Sequence, residues 1–327
     1  MDEQIEIAAP TEPTPTEHCG LVAVIGAPNA GKSTLVNALV GQKVAIVSAK
    51  AQTTRARLMG IALEDLPAAE AAPGGGAKIG GRAQIILADT PGLFEPRRRL
   101  DRAMVHAAWE GASTADAILL VVDARKKKRD YLEPILENLK DRRERKILVL
   151  NKVDATAKEP LLIMAEELSP AGGFDEVFFV SALTNDGVPE LKNRLAQLMP
   201  EGAWHYPEDQ VSDASERLLA AEITREQLYR QLHDELPYDS AVRPESYAPR
   251  RDGSIEIHQQ IVIARDSQKG IVLGKGGSKL KAIGEAARTE LAELLGVKVH
   301  LFLHVKVEEN WAESREIYEE IGLDWVK

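Results

Sequence analysis

From about residue 20 the chain alternates short apolar runs with stretches of helical periodicity. Leu21 to Ile25, Gln84 to Ala88, Ile118 to Val122, Ile147 to Leu150 and Val177 to Val180 are β-rich runs of the length expected for buried strands. Helical stretches near 32–41, 98–113, 130–143, 158–168 and 188–198 separate most of them. This rhythm predicts an α/β fold with a doubly wound, mostly parallel sheet, which binds ligands beyond the carboxyl ends of its strands. It stops near Met199-Pro200-Glu201-Gly202, and residues 202–212 read as a polar, Pro-containing linker. A second pattern follows: a long helix (213–235), strands at 241–248 and 255–264, a short helix ending at Gly274, a longer helix (278–295), an alternating strand from Val297 to Val307 and a closing helix (310–321). That order predicts a smaller α+β unit. The expected organisation is a tail at 1–18, a first domain at 19–201, the linker at 202–212 and a second domain at 213–327.

A length of 327 residues suits two domains. Hydrophobic residues make up 44% and charged residues 28%, and no apolar run approaches the roughly 20 residues of a membrane span, so a cytosolic protein is expected. Cys19 is the only cysteine and excludes an intrachain disulfide. The net charge of −10 argues against nucleic acid until its distribution is examined. Residues 1–18 hold Asp2, Glu3, Glu6, Glu12 and Glu17 with no Lys or Arg, among Pro10, Pro13 and Pro15, and read as a disordered acidic tail. Between Asp65 and Gly81 a run rich in Ala, Gly and Pro, with Pro73-Gly74-Gly75-Gly76, reads as an enlarged flexible hairpin connection.

Gly26-Ala27-Pro28-Asn29-Ala30-Gly31-Lys32-Ser33-Thr34 follows an apolar strand and opens a helix, the setting a Walker A loop needs. Its glycines let backbone N–H groups converge on a β-phosphate at the positive end of a helix dipole. Lys32 is expected to bridge the β- and γ-phosphates and the Ser33 hydroxyl to bind Mg2+. In Asp89-Thr90-Pro91-Gly92, which closes the next strand, Asp89 is expected to hold Mg2+ through a water and the Gly92 amide to meet the γ-phosphate. Loss of that phosphate frees both contacts, the basis of a switch loop. A first switch needs a threonine for Mg2+, and Gln52-Thr53-Thr54-Arg55 supplies one, with Thr54 favoured over Thr53. Asn151-Lys152-Val153-Asp154 ends another predicted strand. The Asp154 carboxylate can accept both N1–H and the N2 amine of guanine, a pattern adenine lacks. Asn151 suits N7 and the loop backbone, the Lys152 stem can cover the base, and Ser181-Ala182-Leu183 would place a backbone N–H against O6. With phosphoryl transfer governed by positioning and charge, Lys32, Thr54 and Gly92, together with Mg2+ and loop amides, are the expected catalytic apparatus.

In the second unit Gly274-Lys275-Gly276-Gly277 is a Gly-x-x-Gly turn between a short and a longer helix. Absent side chains let a sugar–phosphate backbone approach, as in a KH module. Arg265, Lys269, Lys275, Lys279 and Lys281 surround it with only Asp266 opposing, a positive field despite the acidic total. Ile261, Ile263, Ile271, Val272, Leu280 and Ile283 are expected either to line a groove for single-stranded bases or to pack the core. Arg97-Arg98-Arg99 and Lys126-Lys127-Lys128-Arg129 read as RNA phosphate contacts, as solvated helix starts or as points of membrane-surface attachment.

Together these motifs, including Ala51-Gln52-Thr53-Thr54-Arg55, resemble the Era family of bacterial GTPases from about residue 20 onward, with TrmE and EngA as more distant relatives. The second unit is similar to a type II KH domain, the part that sets Era apart. The resemblance implies a P-loop NTPase fold, binding of GTP and GDP with Mg2+, and hydrolysis of GTP to GDP and phosphate. It also implies binding of the 3′ end of 16S rRNA and a role in maturing the 30S ribosomal subunit, as a cytoplasmic monomer with peripheral contact at the inner membrane. Leu93 stands where Ras-like proteins carry the glutamine that orients water, so slow intrinsic hydrolysis is expected. In potassium-dependent relatives an asparagine at the place of Asn29 helps hold K+ between the phosphates. Three other readings stand beside this one: a membrane-associated switch whose C-terminal unit binds protein, a tRNA-modifying partner of the TrmE kind, for which the expected extra domains are lacking, and an ATP-binding metabolic enzyme in which Asp154 is incidental.

Overall fold

In a computed structural model the described residues are 16–48, 50, 52–55, 57–67, 80–232, 236 and 238–326. Most of the acidic tail (1–15), most of the Gly/Ala/Pro-rich connection (68–79), Ala51 and the expected end of the long helix (233–235) lie outside them.

The first unit runs β1 (Glu17–Ile25), α1 (Lys32–Val40), β2 (Leu58–Asp65), β3 (Arg82–Asp89), α2 (Arg99–Ser113), β4 (Ala117–Asp123), α3 (Glu133–Lys140), β5 (Arg145–Asn151), α4 (Lys158–Gly172), β6 (Glu176–Val180) and α5 (Val188–Leu198). Its strands form a sheet in the order β2-β3-β1-β4-β5-β6, parallel except where β2 pairs with β3. Alternating strand residues feed two cores, one on each face. Val22 and Val24 pack with Leu35, Val36, Leu39, Leu191 and Leu195 of α1 and α5. Ala23 and Ile25 pack with residues of α2, α3 and α4 such as Ala108, Leu136 and Leu168. Burial on both sides is why β1, β3, β4 and β5 read as apolar runs, whereas β6, expected buried, lies at the sheet edge and is mostly half-buried, with Phe179 37% exposed.

Two features depart from the hydropathy pattern. β1 begins at Glu17, ahead of its apolar run, because pairing with β3 extends back to Arg82. β2 is interrupted by Gly60, where an added Cβ would lie 2.9 Å from Val40 and 3.0 Å from Val36, so the glycine is what lets α1 close on the sheet.

The second unit runs α6 (Glu216–Gln231), β7 (Ser240–Pro249), β8 (Ile255–Ile263), α7 (Asp266–Leu273), α8 (Ser278–Leu295), β9 (Val299–Val307) and α9 (Arg315–Glu320). β8 pairs antiparallel with β7 and parallel with β9, while Val242, Ile261, Ile263, Val272 and Ile283 share a core with Leu228 of α6.

The expected linker is a strap rather than a loose connection. Cys19 N donates to Pro200 O (3.0 Å), Gly202 N to Glu17 O (3.0 Å) and Ile61 N to Val211 O (2.8 Å). Gln84, fully buried in β3, accepts from the amides of His205 (2.9 Å) and Tyr206 (3.1 Å) and donates to Tyr206 O (2.8 Å). Trp204 and Tyr206 pack against a cluster of Cys19, Met59, Ile86 and Ala88. Polar composition conceals this, since backbone and a single glutamine do the pinning.

The units also share apolar contacts. Leu100 and Met104 of α2 join Val262, Trp311, Ile317 and Tyr318, and Ile46 packs with Ala220, Ile223 and Leu291.

Candidate nucleotide site and RNA-facing turn

The loop after β1 is shaped by two glycines. Gly26 has φ +146°, and a Cβ there would lie 2.3 Å from Val121 O; Gly31 has φ +98°, and its Cβ would lie 2.2 Å from Asn151 Nδ2. Lys32, 6% exposed, donates to Gly26 O and Ala27 O (3.2 Å each). Burial lowers its ammonium pKa to about 8, against the pull of Asp89 and with help from the Lys126 charge.

Three oxygens meet beside it. The Ser33 hydroxyl donates to Asp89 Oδ2 (2.6 Å) and lies 2.8 Å from Thr54 Oγ1, which is itself 3.1 Å from Asp89 Oδ2. The other Asp89 oxygen, Oδ1, is buried with no hydrogen-bond partner among the described residues. Burial raises the Asp89 pKa, with Ser33, Lys32 and Thr54 opposing. Hard oxygen donors around a carboxylate with a spare buried lone pair fit Mg2+. The Thr53 hydroxyl instead bonds Lys50 O and lies beside Ser48 Oγ (2.8 Å each), so the geometry brings Thr54, not Thr53, to the cluster.

After β3, the Thr90 hydroxyl donates to Val24 O (2.7 Å), Gly92 abuts Pro28, and Leu93 N donates to Gly26 O (2.9 Å). The Leu93 side chain is 4% exposed and joins the core with Ile25 and Ala108. Its backbone thus ties the turn to the phosphate loop while its isobutyl group packs inward, where an apolar side chain is favoured.

Asn151, 1% exposed at the end of β5, joins three loops. It donates to Ala30 O (2.9 Å) and accepts from the amides of Lys152 (2.8 Å) and Ala182 (3.0 Å). Lys152, with φ +70°, reaches Asn29 O (2.5 Å) and Asp123 Oδ2 (2.9 Å). Asp154 and Ala155 line a cleft with Lys152, Gly31, Thr34 and Leu183. Of the three amides expected near O6, that of Ser181 goes to Asp186 O (2.9 Å) and that of Ala182 to Asn151. Leu183 N is the one with no partner among the described residues.

Asp123 escaped the sequence reading. Burial alone would raise its pKa, but hydrogen bonds from Arg125 and Lys152 hold it down to about 2. The available signal was an acidic residue ending a buried strand, the position shared by Asp89.

In the second unit Gly274, Gly276 and Gly277 all have positive φ, and Gly277 N donates to Gly274 O (3.2 Å). A Cβ on Gly274 would lie 2.7 Å from Lys279 Cβ, whereas Gly276 and Gly277 face open space. Arg265, Lys269, Lys275 and Lys281 are exposed around the turn and Lys279 is partly so. Of the six apolar residues expected beside the turn, Ile261, Ile263, Val272 and Ile283 are fully buried core. Leu280 is half-buried and Ile271 is 52% exposed, so of the six only these two reach the surface.

A family model described as a 50S ribosome-binding GTPase matches residues 21–152, and a KH domain model matches residues 235–312. GTPase Era of Erythrobacter litoralis is 72% identical over 94% of this chain and 98% of its own. GTPase Era of Afipia carboxidovorans is 52% identical over 97% and 98%. A crystal structure of Era in complex with MgGDPNP and nucleotides 1506–1542 of 16S ribosomal RNA is 36% identical with a TM-score of 0.83, covering 94% of this chain and 99% of that one. A point variant of Aquifex aeolicus Era bound to GDP.AlF4- matches with the same TM-score of 0.83 at 36% identity, over 93% and 99%. With a KH unit behind a guanine-type nucleotide fold and this identity along almost the whole length, the chain belongs to the Era family of GTPases.

Proposed function

We propose that this protein binds GTP and Mg2+, hydrolyses GTP to GDP and phosphate, and uses the change of state to govern its grip on the 3′ end of 16S rRNA during maturation of the 30S subunit. The observation that carries the reading is the meeting of Ser33, Thr54 and Asp89 at 2.6–3.1 Å beside Lys32, in a chain that matches RNA-bound Era over 94% of its length. Lys32 holds the β- and γ-phosphates and Ser33, Thr54 and Asp89 hold the metal. Asn151, Lys152 and Asp154 seat guanine, with Leu183 N offered to O6. When bound, Mg2+ neutralises charge developing on the phosphate oxygens. The Gly92 amide reports the γ-phosphate.

Hydrolysis is slow in this reading, since a buried leucine at 93 cannot orient water, and Asn29 is the residue that would help hold K+. Turnover equal in potassium and sodium buffers removes the K+ part. Exposed Lys269, Lys275 and Lys281 with open Gly276 and Gly277 support RNA entry at the turn. The protein works as a cytoplasmic monomer, with peripheral membrane contact through its basic runs; no helix among the described residues is long and apolar enough to cross a membrane. Filter binding of a 16S 3′-end oligonucleotide with GTP, GDP or no nucleotide tests the whole. State-dependent affinity is expected, and indifference to the oligonucleotide in every state, or preference for ATP over GTP, refutes it.

A further inference from the structure

The segment carrying Thr54 is held from outside its own unit. Upstream, the Thr53 carbonyl accepts from the Arg225 guanidinium, and the Gln52 carbonyl from the Tyr229 hydroxyl at 3.4 Å. Downstream, Arg55 is 2% exposed and donates Nη1 to Ser240 O (2.7 Å) and Nη2 to the Tyr229 hydroxyl (3.0 Å) and Tyr238 O (3.1 Å). Its guanidinium carbon lies 5.9 Å from the centre of the Tyr229 ring and 5.7 Å from that of Trp311. All of these partners belong to α6, to the start of β7 and to the segments just before β7 and after β9. A buried guanidinium is costly to leave unsatisfied, so Arg55 is a rigid anchor one residue from a hydroxyl whose distance to Ser33 and Asp89 matters.

We infer that Arg55 is a positioning residue for the metal: anchored in the KH unit, it sets where the Thr54 hydroxyl stands, so that the second unit completes the Mg2+ site of the first. The inference rests on the proposed role of Thr54 as a metal ligand. First-switch ligands are ordered by the metal together with the γ-phosphate, so the effect falls on GTP and spares GDP.

The test measures affinities of the full chain for GDP and for a non-hydrolysable GTP analogue, each with Mg2+ and with EDTA. Arg55→Ala is expected to lower the Mg2+-dependent part of analogue affinity about tenfold while GDP affinity stays within about twofold. Arg55→Lys, which keeps the charge but loses the fork, should fall between. Tyr229→Phe deletes a single hydroxyl, leaves the fold intact and should shift the analogue alone by about two- to threefold. Equal losses of GDP and analogue in Arg55→Ala and Tyr229→Phe, or no loss in either, overturn the inference. Thr54→Ala separates the two levels: if it leaves the Mg2+ dependence of analogue binding untouched, the ligand role of Thr54 itself falls and the inference goes with it.

Discussion

Replacing Asn151 by alanine removes the clasp between three loops. Its amide makes hydrogen bonds of 2.9 Å to Ala30 O, 2.8 Å from Lys152 N and 3.0 Å from Ala182 N, the first and last of them buried and the second partly so. At about 1 kcal/mol net for each bond, the three together are worth about 3 kcal/mol. Converted to affinity this is roughly 150-fold, if the loss falls on nucleotide binding rather than on the resting fold. The clasp joins the phosphate loop to the base-recognition loops and lies upstream of anything that senses a γ-phosphate. GTP and GDP should therefore weaken by the same factor, unlike the selective effect expected at Arg55. Titration with a fluorescent guanine nucleotide at fixed Mg2+ measures the loss, and thermal unfolding run in parallel shows how much has gone into stability. Affinity within about threefold of the parent at unchanged melting temperature would refute the additive reasoning. So would a loss confined to GTP.

Asp123, held at about 2 by its two cationic partners against an ordinary value near 3.8, contributes stability that is present above pH 4 and lost as pH falls toward 2. Asp123→Asn should remove about 2 kcal/mol and flatten the acid limb of the unfolding profile in that window, read by denaturant titration at several pH values. Gly92→Ala places a Cβ 2.8 Å from Pro28 N, which must push the turn aside. A shift of about 1 Å should cut single-turnover phosphate release about 100-fold while GDP affinity holds. Gly277→Asp enters open space at φ +78°, a conformation aspartate tolerates, so the unit should fold. Filter binding of the 16S 3′-end oligonucleotide should weaken more than about tenfold, with guanine nucleotide affinity unchanged.

The sequence exposed what depends on local chemistry. Strands buried on both faces announce themselves as apolar runs, and α5 and α8 fall within the expected bounds because their faces repeat at helical spacing. The nucleotide motifs were legible for a related reason, since glycines at forced backbone angles and a lysine after them have few other uses. What stayed hidden depends on partners far along the chain. β2 was not anticipated because its inward side is made by Gly60 against three valines. Gln84 looks like one polar residue in a strand until the strap is seen bonded to it. Thr224, Arg225, Glu226 and Gln227 are buried in α6, a run no hydropathy pattern would place inside; Arg225 reaches Thr53 O of the first switch, Glu226 meets Lys43 and Val47 N, and Gln227 bonds Glu290 of α8. The isoleucines beside the Gly-x-x-Gly turn could serve core or groove equally on pattern alone, and only their burial separates the two.

The strap along β1, β2 and β3 decides what happens if the first switch and α2 together release the second unit. Its last ties are Asp213 N to Met59 O (3.3 Å) and Met59 N to the Asp213 carboxylate (3.0 Å), and α6 is already capped by Ser215. Only Ala214 and Ser215 are left to bend. A freed KH unit would pivot on a short stalk instead of drifting on a tether, staying at high effective concentration over its old seat. Any ligand that needs that seat must then compete with a neighbour that never leaves, which makes the length of that stalk a dial on how long a released state lasts.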